Sequence, residues 1–87
     1  MFLGAHHFDG DTRLVAQFPP GVDDLDVCVA RDDGMAVFDA CPSSDAFVGF
    51  SQSPDFRAAL EAAGLPIPRV EPLGPVHAAT LQHPVTP

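Results

Sequence analysis

The chain has 87 residues, a net charge of −8, two cysteines and ten prolines, a length that allows one domain and buries roughly 60–65% of its unfolded surface. A hydrophobic fraction of 46% argues against wholesale disorder, and apolar runs of only a few residues exclude a membrane-spanning helix. Four scattered arginines (Arg13, Arg31, Arg57, Arg69) with no lysine and twelve acids exclude the clustered cations that nucleic acid or an anionic membrane requires.

Met1 to His6 carries no basic residue and no long apolar run, so no signal peptide is expected, and a cytoplasmic protein with reduced cysteines is the default. Phe2, Leu3, Ala5 and Phe8 predict a strand over 2–8. Asp9-Gly10-Asp11 is a turn, and Leu14, Val15 and Phe18 predict a short helix over 12–18 that Pro19-Pro20-Gly21 stops. Leu25, Val27 and Val29 alternate with Asp26, Cys28 and Ala30, which predicts a strand over 25–31. Asp33-Gly34 is a favoured type I′ hairpin dipeptide, and 35–41 is the returning strand.

Ser43 is the expected N-cap of a helix carrying Phe47 and Phe50 on one face. Ser53-Pro54-Asp55 is a second helix start, and Gly64 is the expected left-handed stop after Phe56, Leu60 and Ala63. A last strand lies within 70–81. Pro72 and Pro75 interrupt its first part, so 76–81 is its best stretch and it belongs at a sheet edge. The order β-α-β-β-α-β predicts an α+β, ferredoxin-like domain over residues 1–82, a four-stranded antiparallel sheet with both helices on one face, followed by a tail over 83–87.

A two-residue Asp33-Gly34 turn pairs Asp32 with Met35 and places Cys28 opposite Asp39. One side of the hairpin then carries Leu25, Val27, Val29, Ala36, Phe38 and Ala40 and is expected to meet the helices. The other carries Asp26, Cys28, Ala30, Met35, Val37, Asp39 and Cys41 and is expected to stay open until a second copy covers it, making a homodimer. Cys28 and Cys41 lie diagonally on that side, too far apart for a disulfide.

The run from Gly34 through Met35-Ala36-Val37-Phe38-Asp39-Ala40-Cys41-Pro42-Ser43-Ser44-Asp45-Ala46 to Phe47 resembles the strand-to-helix signature of antibiotic-biosynthesis-monooxygenase-like proteins. That signature is a glycine, a hydrophobic strand ending in Asp-x-Trp-x-Ser, and a helix opening with an acid, Ala and Phe. The run from Arg57 to Pro66, followed by Val76-His77, is also similar. The resemblance implies a dimeric α+β barrel with a pocket in each subunit. In some members it implies cofactor-independent oxidation of aromatic substrates by O₂, and in others haem degradation. Cys41 stands at the Trp position, the first helix is shorter, and the chain has no Trp, Tyr or Asn. The Trp and Asn of the haem-degrading branch therefore have no counterpart.

His6 and His7 point to opposite faces of a strand, so one of them can line the pocket as a general acid or base, the alternative being a solvent-exposed strand-end histidine. Asp39 is the third catalytic candidate, or else a salt-bridge partner across the dimer. Cys28, Val37, Cys41 and His77 are expected to line the pocket. For Cys28 the choice is between a nucleophile and a small buried hydrophobe, and for His77 between catalysis and interface packing. No cofactor and no metal are expected: adjacent histidines diverge, and Asp23-Asp24-x-Asp26 lacks the glycine and distal Glu of a calcium loop. Two functions follow. One is cofactor-independent oxidation or isomerisation of a small aromatic or polyketide-like molecule, and the other is a non-catalytic small-molecule-binding or dimerisation module.

Overall fold

Alternating apolar residues and well-placed caps produce four strands and two helices in the computed structural model, which describes residues 1–17 and 26–80. The strands are β1 (Phe2–Asp9), β2 (Asp26–Arg31), β3 (Gly34–Cys41) and β4 (Arg69–Pro75). They form one antiparallel sheet in the order β2-β3-β1-β4. Helices α1 (Ser44–Ser51) and α2 (Pro54–Ala63) complete an α+β fold compatible with the ferredoxin-like arrangement.

The caps act as their residue types dictate. The Ser43 and Ser53 hydroxyls accept from the backbone N–H of Ala46 and Phe56 at 3.1 Å. Pro54 occupies the first turn of α2, where its missing N–H costs nothing. Gly64 ends α2 at φ 73°, with its N–H on the Glu61 carbonyl and the Leu65 N–H on the Leu60 carbonyl.

Three local expectations change. Thr12–Gln17 is a 3₁₀ helix, not an α-helix. Its Leu14 N–H bonds to the Asp11 carbonyl, and six residues are too few to offset the cost of nucleating an α-helix. Phe18, Pro19, Pro20, Gly21, Leu25 and the Asp23-Asp24 pair lie outside the described residues, as do Leu81 and the 83–87 tail.

The hairpin register also differs. Arg31 pairs with Gly34 and Cys28 with Val37, so Asp32-Asp33 is the turn. No non-glycine residue among those described has a positive φ, whereas a type I′ turn needs one at both central positions. Gly34 is instead the first strand residue, at φ 141°, and a Cβ there would meet the Phe8 carbonyl oxygen. Finally, β4 is the proline-containing stretch, and residues 76–80 are not strand. An edge strand has one neighbour, so a proline nitrogen facing outward removes no ladder bond. A register shift opposite Leu3 and Gly4 absorbs the irregularity.

The two sides of the hairpin hold the expected residue sets, because a register shift of two preserves parity. Their roles are exchanged. Phe8, Met35, Val37 and Leu60 form the buried core, with Cys28, Leu14, Phe56 and Leu65 packed against it, so the helices cover the side carrying Met35, Val37 and Asp39. Volume explains the choice. Gly4 lies on this side, and a Cβ there would sit 2.2 Å from the Phe47 ring, so the glycine leaves the hollow that Phe47 fills completely buried. The opposite side carries Val27 and Val29, 45% and 41% exposed, with Phe38, Ala36, Ala40, Leu3 and Ala5. Ala5 and Ala36, which lie opposite Phe38 and His7, are buried on this side.

Candidate functional site

His6 sits on β1 opposite Val37 of β3, and Asp39 sits opposite Gly4. The two are therefore diagonal neighbours on one face. The imidazole Nδ1 lies 2.8 Å from Asp39 Oδ2. Its Nε2 lies 2.8 Å from the Ser51 hydroxyl in the last turn of α1. His6 is 1% exposed and Asp39 7%. Three phenylalanines enclose the ring, with centroids at 4.9 Å for Phe56, 5.1 Å for Phe47 and 6.4 Å for Phe50.

The protons of this chain of groups are countable. The Ser51 hydroxyl also lies 2.8 Å from the Phe47 carbonyl. When it donates there, His6 Nε2–H must donate to Ser51, and one proton occupies the Nδ1–Oδ2 bridge. When it swings to Nε2 instead, His6 is the Nδ1–H tautomer donating to a carboxylate, and the site holds one proton fewer. All three contacts are 2.8 Å long, so the same heavy-atom positions fit either state.

The expected pairing of a histidine with Asp39 is thus present for His6, but beneath the helices rather than on the open face. His7 points to the open face, where its Nε2 lies 2.8 Å from Glu71 Oε1. Val37 is core. Cys28 is half-buried on the helix side with its thiol 3.7 Å from the Met35 sulfur, and burial pushes that thiol's pKa up from its ordinary value. Cys41 is half-buried at the end of β3, and neither cysteine forms a disulfide. His77 is exposed beyond β4. Val37, Cys28 and Cys41 stand on the same side of the sheet as His6 and Asp39, with Val37 directly opposite His6, whereas His77 lies outside the strands.

Ser51 was not singled out in the sequence, which lacks a Gly-x-Ser-x-Gly elbow. Its only local signal is the four-residue spacing from Phe47, which puts both on one helix face. Among the described residues, no group of three or more His, Cys, Asp or Glu side chains is arranged to hold a metal ion, and no helix is long and apolar enough to cross a membrane. No protein-family model matches the chain, and neither curated proteins nor solved structures gave a match.

Proposed function

We propose that the protein is a self-associating α+β module whose open sheet face is covered by a second copy. The observation that carries this is a face both apolar and locally neutral. Val27, Val29 and Phe38 leave apolar area uncovered. Its strand positions hold Arg31 and Arg69 against Asp9 and Glu71, with Arg69 3.1 Å from Asp9. A chain of net charge −8 repels its own copies, so self-contact is cheapest where charges cancel, and this face holds two of the four arginines. Four strands at ~4.8 Å spacing and six paired positions give a footprint of roughly 400 Å². That is about half the per-partner area of a standard interface, so the dimer belongs to the small, reversible class. Face-to-face packing makes the dimeric barrel that the antibiotic-biosynthesis-monooxygenase resemblance implies, and a small apolar or aromatic molecule is the ligand class such a chamber takes.

Cofactor-independent oxidation or isomerisation of that molecule is the second reading. What favours it is the His7–Glu71 pair, a histidine–carboxylate contact on the open face.

Sedimentation across the micromolar range tests the first reading. The native chain is expected as a dimer, Val29→Glu as a folded monomer, and Val48→Glu, on α1, as a dimer. A monomeric native chain, or a dimer unaffected by Val29→Glu, overturns it.

A further inference from the structure

The Asp39–His6–Ser51 chain lies on the side of the sheet away from the self-association face, and nothing above uses it. Its order of groups is carboxylate, Nδ1, Nε2, hydroxyl, with both contacts at 2.8 Å. That is the arrangement in which a neutral imidazole takes a serine proton while a buried carboxylate holds its tautomer. Ser51 is only partly buried, at the C-terminal end of α1. Beside it Phe50 is 44% exposed, its ring tilted against Phe56 with centroids 4.7 Å apart, so aromatic surface lies next to the partly exposed hydroxyl.

We propose that Ser51 is a nucleophile toward activated esters of small apolar or aromatic acids, with His6 as its general base and Asp39 as the residue that positions His6. Ser51 Oγ attacks the ester carbonyl carbon, and its proton passes to His6 Nε2. The tetrahedral adduct expels the aryloxide, which leaves as the phenol with that proton. Water then attacks the acyl-serine, again giving its proton to His6, which returns it to Ser51 Oγ as the acid departs. The N–H groups of Gln52 and Ser53 are engaged by the Val48 and Phe50 carbonyls, so they offer no ready oxyanion hole. Reactivity is therefore confined to activated substrates, and the acceleration is that of the general base, about 10²–10⁴ over an ordinary serine.

The test is a fluorophosphonate probe, which forms an O–P bond to serine and expels fluoride, with site mapping by mass spectrometry on the intact chain. Ser44 and Ser53 serve as internal references. Ser51 is expected to react at least about 10²-fold faster than either, and urea is expected to abolish the difference. Ser51→Ala should remove the fast site. Asp39→Asn should slow Ser51 and shift the His6 ring-nitrogen NMR signals from the Nδ1–H to the Nε2–H tautomer, a change that loss of packing alone does not produce. Equal labelling of the three serines in the native chain overturns the proposal without reference to any variant. So does an Asp39→Asn chain that folds, changes tautomer and labels at the native rate.

Discussion

His6 and Asp39 are 33 residues apart in the chain, and their side chains meet at 2.8 Å in the interior. The contact joins the two central strands of the sheet, and neither group is left to water. Removing one partner takes a buried hydrogen bond from the group that remains. Asp39→Leu and His6→Leu are each expected to destabilise the fold by about 1–3 kcal/mol. The double variant should lose less than the sum, by about 0.5–3 kcal/mol. Urea unfolding followed by circular dichroism measures all three, and strict additivity would show that the pair contributes nothing as a pair.

Two glycines should respond to the same substitution with opposite sign. At Gly4 an added methyl meets the Phe47 ring at 2.2 Å, so Gly4→Ala is expected to cost about 1–3 kcal/mol through overpacking. At Gly49, inside α1, nothing lies within 4 Å of the added atom. There Gly49→Ala should stabilise by about 0.5–1 kcal/mol by restricting the unfolded chain. Thermal unfolding of both variants decides whether the Gly4 hollow is required.

The second helix depends on both of its ends. Ser53→Ala removes the acceptor for the Phe56 N–H and should cost about 1 kcal/mol. Gly64→Ala forces a side chain into the left-handed region at φ 73° and should cost about 1 kcal/mol. The two sites are at opposite ends of α2, so the double variant should be additive in denaturant titrations.

Cys28 should be a poor nucleophile in the folded chain. Burial raises its thiol pKa, so at pH 8 less thiolate is present than in the unfolded chain, whose thiol titrates near 8.5. Iodoacetamide should modify Cys28 slowly in buffer and far faster in urea. The linked contribution to stability is fully present below the unfolded thiol's pKa and is lost as pH rises through the higher folded value. Equal alkylation rates in the two states would place the thiol in water.

The first three strands, the two α-helices and their caps were legible because each rests on neighbours in the chain. The Ser43 and Ser53 caps, the Gly64 stop and the 43–64 helical stretch are local matters of hydroxyl reach and backbone torsion. So is the division of the β2–β3 hairpin into two residue sets. The pairing of a histidine with Asp39 was half-visible, since both stand on strands with the right parity. Ser51 was invisible, because its contact with His6 spans 45 residues.

Composition and alternation thus establish an acidic α+β chain with a four-stranded sheet and no basic surface for nucleic acid. They do not establish which side of that sheet the helices cover. Both sides are apolar enough to bury, and parity divides residues without saying where the third layer lies. Packing volume decides it. The hollow at Gly4 admits Phe47 on the side of Met35 and Val37, which draws His6 and Asp39 into the core and leaves Val27 and Val29 exposed and Phe38 only partly covered.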